Sequence, residues 1–130
     1  MAWARQLGKT TVFVAGNHEF YGSDLTTTFE RLHAAALGSL VQILERQTWA
    51  HQGVRFPGCT LWSDQRLFEG EAHAQARQRT QSMIADFSRI AKTRGGATLI
   101  PDDARAELDH TVLHGSTPNS PCHGTAPPWS

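Results

Sequence analysis

Three adjacent residues, Asn17, His18 and Glu19, place an amide, an imidazole and a carboxylate side by side directly after Gly16. Oxygen and imidazole ligands suit divalent metal ions, and a histidine can also transfer protons near neutral pH. The same residues fit a plain connector, because a Gly-Asn turn before a helix is common. What this segment does therefore depends on the elements that position it.

A strand before the segment and a helix after it are predicted. Residues 10–15 are β-branched, aromatic and apolar on both alternating faces, which is typical of a central, parallel strand covered on both sides. Apolar residues at helical spacing predict a helix over 25–40, with Ser23 or Asp24 as its N-cap. The loop 16–22 would then follow the carboxyl end of a strand, where open α/β sheets place ligands.

The rest of the chain predicts an α/β fold in one domain over 1–109, followed by a disordered tail over 110–130. The tail is rich in Gly, Ser, Thr and Pro, and it lacks Leu, Ile, Val and Phe from residue 115 onward. The remaining predicted elements are a strand over 41–44, a hairpin with arms 48–51 and 54–62 turning at Gln52-Gly53, a helix over 72–90 that residues 92–96 end, and a short helix opening at Pro101.

Composition excludes several classes of protein. The 12 basic and 12 acidic side chains cancel, so a dedicated nucleic-acid binder is not expected. The apolar runs are too short to cross a bilayer, and no membrane partner is expected. Two cysteines cannot build a disulfide framework, and the first residues lack a basic stretch followed by an apolar one. We therefore expect a cytoplasmic protein.

The stretch Val12-Phe13-Val14-Ala15-Gly16-Asn17-His18-Glu19-Phe20-Tyr21-Gly22 resembles the Gly-Asn-His-Asp/Glu motif of the calcineurin-like metallophosphoesterases. A second stretch, from Val54 to Asp64, is similar to the sequence after the hairpin in bacterial phosphohydrolases of this superfamily. The likeness extends to about residue 108. It implies a partial αββα sandwich, two sheets flanked by helices, and metal-dependent hydrolysis of a small phosphomonoester or phosphodiester.

The resemblance assigns a role to each motif residue. Asn17 would ligate a metal ion through its side-chain oxygen, and His18 would be the catalytic residue that faces substrate and assists the leaving group. Gly16 would let the backbone turn sharply, and Glu19 would orient the loop or His18. Two divalent ions, of manganese, iron, zinc or a similar metal, about 3.5–4 Å apart would neutralise the phosphate and turn bound water into hydroxide.

The other motifs of the superfamily are missing here. No Asp-x-His precedes Asn17, no Gly-Asp supplies a bridging carboxylate, and no Gly-His-x-His follows. Either the gene is truncated or starts late, or a second polypeptide supplies the ligands; we favour truncation. The chain alone is then expected to be inactive and to bind a divalent ion no more tightly than at millimolar concentration. If it were active, ligands would be sought at Asp64, His73, Asp86 or a second copy.

Two other readings stay open. The scaffold could be a non-catalytic interaction module or a gene fragment without function, and its oligomeric state is not predicted.

Several further residues are expected to have structural roles or none. His33 is expected to pack at a helix boundary, His51 and His73 to be solvated, Cys59 to pack as a small hydrophobe, Trp62, Ser63 and Asp64 to be core or to line a cleft, and His110, His114, Cys122 and His123 not to form a zinc site.

Overall fold

A computed structural model describes residues 2–114 and shows the mixture of helices and strands that the sequence predicts. The helices are α1 (Ala2–Gln6), α2 (Leu25–Ala36), α3 (Gly70–Met83), α4 (Asp86–Arg89) and α5 (Pro101–His114), with a 3₁₀ helix at Asn17–Phe20. The strands are β1 (Thr11–Phe13), β2 (Ser23–Asp24), β3 (Val41–Ile43), β4 (Gln47–His51), β5 (Val54–Gly58) and β6 (Ile90–Ala91).

The strands of the described segment form three separate pairs. β1 and β3 are parallel, β2 and β6 are parallel, and β4 and β5 are antiparallel. The parallel pairing predicted for the first strand is confirmed, but its central position is wrong, since within residues 2–114 it pairs with β3 alone. The strand is only three residues long, and Val14, just beyond it, is 40% exposed. Its apolar residues therefore lie partly covered at an edge.

The predicted first helix is confirmed in place and in its cap. Asp24 is the N-cap of α2, and its carboxylate accepts a hydrogen bond of 2.9 Å from the backbone N–H of Thr27. The helix ends at Ala36 instead of residue 40, and Leu40 is exposed. Leu32 faces the core, whose most fully buried side chains are Phe20, Ile90 and Leu99.

The single helix predicted over 72–90 is wrong. The helix α3 ends at Met83, Ile84 is extended, and the chain then forms the short helix α4 and strand β6. No side chain of α3 is buried, so this helix has little apolar surface to hold it against the core. Phe87 and Ile90 are buried, and they reach the core only because the chain changes direction at Ile84.

The hairpin is confirmed with a shorter second arm. Gln52 and Gly53 have positive φ angles of 49° and 79°, as a two-residue hairpin turn requires. The second arm ends at Gly58 instead of Trp62. A Cβ atom at Gly58 would lie 2.6 Å from the Cβ of Leu44, so the backbone packs there against a neighbouring side chain.

The last helix is longer than predicted. α5 continues to His114, past the boundary predicted at residue 109, and its first turn carries Asp102 and Asp103, whose charge the helix dipole favours there. The predicted tail from residue 115 onward lies outside the described residues. Among residues 2–114, no helix has the length and apolar character needed to span a membrane.

Candidate functional site

The loop after β1 is held in place at both of its ends. The 3₁₀ helix directs Phe20 into the core, where its ring centroid lies 5.4 Å from that of Phe29 and 6.0 Å from that of Trp62. At the other end, the backbone N–H of Gly22 donates to the carbonyl of Arg89 at 2.8 Å. Gly22 has a φ of 73°, a conformation that glycine adopts without strain. The residues between these anchors therefore have a defined geometry.

Asn17 is tied to a residue that is distant in sequence. Its amide nitrogen Nδ2 donates to both carboxylate oxygens of Asp86, at 2.9 and 3.0 Å, and the hydroxyl of Tyr21 donates to Oδ1 of Asp86 at 2.7 Å. Asp86 opens α4 and is only 8% exposed. We call the set Asn17, His18, Tyr21, Asp86 and Arg89 the Asn17 cluster.

Charge around Tyr21 is arranged to keep its hydroxyl protonated. The hydrogen bond to the Asp86 carboxylate is the main cause that raises the pKa of Tyr21, because a phenolate could no longer donate and would repel the carboxylate. The guanidinium carbon of Arg89 lies 5.3 Å from the centre of the Tyr21 ring, within the range of a cation–π contact. Tyr21 thus connects Asp86 to a basic side chain.

The other motif residues are exposed. The ring of His18 lies 4.7 Å from that of Tyr21, centroid to centroid. Glu19 turns back on its own loop, and its carboxylate accepts a hydrogen bond of 2.7 Å from the backbone N–H of Gly16. This contact agrees with the expectation that Glu19 orients the loop. Glu19 orients the backbone of the loop and not His18, since its carboxylate is bound to the N–H of Gly16.

The role predicted for Gly16 needs a correction. Its φ of −90° and ψ of 175° are extended values that other residues also adopt, so no sharp turn depends on glycine here. What the position requires is a small residue, because a Cβ atom at Gly16 would lie 3.1 Å from the Glu19 carboxylate. The glycine admits the close approach that closes the loop.

The cluster does not fit a two-ion metal centre. Within residues 2–114, no group of three or more His, Cys, Asp or Glu side chains is placed to hold an ion. Asp86 already accepts hydrogen bonds from Asn17 and Tyr21, and Glu19 accepts one from Gly16. If His18 faces substrate, as the resemblance implies, the amide oxygen of Asn17 is the one metal ligand that the cluster offers.

An apolar groove of about 410 Å³ lies against Asp86. Trp62, Ser63 and Asp86 line it, whereas Asp64 binds the backbone N–H of Arg66 at 3.1 Å in an exposed loop. We call this cavity the Trp62 groove. Its other lining residues are Gln65, Leu67, Phe68, Ala76, Thr80, Ile84, Phe87 and Ala104.

His33, His51, His73 and Cys59 lie in other parts of the described segment. His33 is exposed instead of packed at a boundary, His51 is exposed and stacks on Trp49 at 4.7 Å, and His73 is half-buried instead of solvated. Cys59 is partly buried, and burial raises the pKa of its thiol. His110 is exposed near the end of α5, and the predictions for the side chain of His114 and for Cys122 and His123 lie outside the described residues.

Two members of the cluster were not found from the sequence as site residues. Tyr21 lies inside the matching stretch and is the chain's one tyrosine, which is a signal that sequence reading could have used. Arg89 carries no local signal, because only the packing of α4 beside the loop brings it to Tyr21. Asp86 was considered only as a fallback ligand, and its contact with Asn17 depends on tertiary structure.

Comparisons of this chain with models of known protein families, with curated proteins and with solved structures found no match.

Proposed function

We propose that residues 16–21 form the substrate-facing loop of a metal-dependent phosphoester hydrolase of the calcineurin-like type, and that residues 2–114 hold part of its site. The observation that supports this most is the pairing of Asn17 with Asp86 beside an exposed His18, just beyond the carboxyl end of β1. The proposed complete fold is the two-sheet sandwich of that superfamily. The proposed location is the cytoplasm, because two cysteines are too few for the disulfide framework of a small secreted protein.

Asn17, His18 and Asp86 each have a defined task in this proposal. Asp86 holds the amide nitrogen of Asn17 and so directs the amide oxygen as a ligand atom. In this proposal His18, which is exposed, donates a proton to the leaving-group oxygen of the ester. In such hydrolases two divalent ions, of manganese, iron, zinc or a similar metal, supply hydroxide and neutralise the phosphate. The other ligands of the two metal ions must come from outside residues 2–114 or from a second polypeptide.

The Trp62 groove supports a substrate class. It is lined mainly by apolar and aromatic side chains and reaches Asp86, which contacts Asn17. A small phosphoester with an apolar or aromatic leaving group would place that group in the groove and its phosphate near Asn17 and His18. The balanced charge of the chain argues against a nucleic-acid substrate.

Paramagnetic relaxation tests the ligand role directly. Mn²⁺ added to the full chain should broaden the side-chain amide signal of Asn17 and the imidazole signals of His18 at millimolar concentration, as one protein ligand allows. The variant Asn17→Ala should lose the broadening at His18, and the surface variant Asp109→Asn should keep it. Broadening centred on another part of the chain would overturn the assignment.

Turnover tests whether the chain is complete. With Mn²⁺ and an aryl phosphate, the wild-type chain should be no faster than the double variant Asn17→Ala, His18→Ala, because one amide oxygen does not hold a metal-bound hydroxide. Turnover well above that control and abolished by EDTA would contradict the partial site. Ligands would then be sought at Asp64, His73 or in a second copy.

An exposed apolar surface favours a second candidate function, an interaction module that packs against another copy of this chain. Leu61, Leu67 and Met83 are 78%, 85% and 79% exposed. Large apolar side chains exposed to this degree mark interaction surfaces where they lie together. In sedimentation equilibrium, the double variant Leu67→Asp, Met83→Asp should shift a self-associating chain to monomer, whereas Leu37→Asp should not. A wild-type chain that is monomeric at all concentrations tested would exclude this candidate.

A further inference from the structure

A second cavity, of about 520 Å³, shares Arg89 with the Asn17 cluster and is lined by three arginines. Arg31 comes from α2, Arg89 from the end of α4, and Arg94 from the turn after β6. We call it the arginine cavity. Guanidinium groups from three separate elements facing one space are expected to repel each other unless an anion lies between them.

The charge balance of the arginine cavity is positive. The one carboxylate among the lining residues, Asp24, is 3% exposed and is already bound to the backbone N–H of Thr27. Glu30 approaches Arg94 at 3.6 Å, but both side chains are largely exposed, so this ion pair is weak. Three positive charges therefore face at most two negative ones, and both carboxylates have partners.

The uncharged lining residues include several hydroxyl groups, and a hydroxyl group can donate a hydrogen bond to an oxygen anion. Ser23, Thr27, Ser88 and Thr98 contribute hydroxyl groups. The Nε atom of Arg94 donates to the Thr27 hydroxyl at 3.3 Å, which places this guanidinium at the cavity wall. Gly22 and Gly95 leave the backbone open at the edge of the cavity, since nothing lies within 4 Å of a Cβ at either position.

We infer that the arginine cavity binds a small molecule that carries two or more phosphate groups. Arginine recognises phosphate through parallel hydrogen bonds, and three arginines offer more donors than one phosphate can accept. The volume is within the range of small-ligand sites and exceeds that of a single phosphate ion. Contacts from Arg89 through Tyr21 and Asp86 connect this cavity to Asn17, but the inference does not depend on the proposed hydrolase activity.

The probes are pyrophosphate and inorganic phosphate, titrated into the full chain at low salt and followed by calorimetry and by amide NMR. Pyrophosphate should bind more tightly than phosphate, and the amide signals of Gly22 and Gly95 should shift on binding. Arg31→Gln and Arg94→Gln should each weaken pyrophosphate binding about tenfold, and Arg55→Gln, an exposed arginine on β5, should leave it unchanged.

Three results would overturn the inference. The first is an equal loss of binding in Arg55→Gln, which would show attraction to surface charge in general. The second is absence of shifts at Gly22 and Gly95. The third is loss of pyrophosphate binding in the Asn17→Ala, His18→Ala variant with binding retained in Arg31→Gln, which would place the anion at the Asn17 cluster. Retained binding in that double variant supports the arginine cavity whether or not the chain hydrolyses phosphoesters.

Discussion

Replacing Asp86 with asparagine tests whether this residue organises the Asn17 cluster. The substitution keeps the shape of the side chain but removes the charge that accepts hydrogen bonds from Asn17 and Tyr21. It also places an amide NH₂ group next to the NH₂ group of Asn17, so one donor loses its acceptor. Both the stability of the fold and the ionisation of Tyr21 should change.

The size of the stability change follows from the contacts of Asp86. Hydrogen bonds to charged groups contribute about 1.5–3 kcal/mol each. The two contacts with Asn17 share one nitrogen and count once, and the low end applies because Asn17 is exposed and can turn to water. The loss is therefore about 1.5 kcal/mol, which lowers Tm by about 6 °C for a domain of this size.

Tyr21 provides a direct assay because it is the chain's one tyrosine. Phenolate absorbance during a pH titration then reports Tyr21 alone. In the wild-type chain its pKa should lie above the ordinary value of about 10, and in Asp86→Asn it should fall toward that value. Circular dichroism should confirm at each pH that the chain is folded.

The control is Asp109→Asn, which removes a half-exposed carboxylate whose ion pairs within residues 2–114 are long, at 3.7 Å to Arg105 and 3.8 Å to Arg66. It should change stability by less than about 0.5 kcal/mol and leave the Tyr21 titration unchanged. If Tyr21 titrates at the same pH in the wild type and in Asp86→Asn, the hydrogen bond between them does not exist in solution and the reasoning fails.

Four other outcomes are expected. Because the pKa of Tyr21 is raised in the folded state, its contribution to stability is complete below about pH 10 and is lost as pH rises through the folded-state pKa. Chemical denaturation below and above the folded-state pKa should show this loss of stability in the wild type. Asp86→Asn should lose less stability over the same range. Asp24→Ala removes the N-cap of α2 and should lower Tm by about 5 °C, whereas Asp24→Asn keeps a capping oxygen and should leave Tm unchanged. An equal loss of Tm in both variants would mean that the charge of Asp24 stabilises the helix and the capping hydrogen bond does not. The hydrogen bond from Thr27 also lowers the pKa of Asp24, so its contribution is present above the ordinary pKa of aspartate and is lost as pH falls through the lowered value, an acid-side loss that Asp24→Asn should not show. Gly58→Ala forces a methyl group to within 2.6 Å of the Leu44 Cβ and should destabilise the chain by about 2 kcal/mol. The control Gly53→Asn, at a hairpin-turn position whose positive φ suits asparagine, should change stability little. A Gly58→Ala chain as stable as the wild type would mean that the backbone at residue 58 shifts freely.

The local elements with strong signals could be read from the sequence. Gln52-Gly53 between two β-rich arms specifies a hairpin turn, and Asp24 before an apolar helical repeat specifies an N-cap. These signals act over a few residues, so no distant contact is needed to interpret them. The strand before Gly16 and its parallel pairing were predictable for the same reason, since its apolar pattern is continuous.

The elements that the sequence misplaced are those whose ends depend on packing. The helical pattern over 72–90 continues through Ile84, but the chain breaks there because Phe87 and Ile90 must enter the core. The central position expected for the strand at 10–15 required neighbours on both sides, and the described fold provides one. Neither outcome is encoded in the periodicity of the segment itself.

The sequence by itself determined which residues could do chemistry, because Gly16, Asn17, His18 and Glu19 are adjacent and follow a strand. Only the tertiary structure decided how they are held. Asp86 reaches Asn17 because β6 pairs with β2 and brings α4 beside the loop, and the same pairing places Arg89 at the arginine cavity. Contacts between segments far apart in the chain depend on the packing of the whole fold, and a local pattern of residue types does not contain that information.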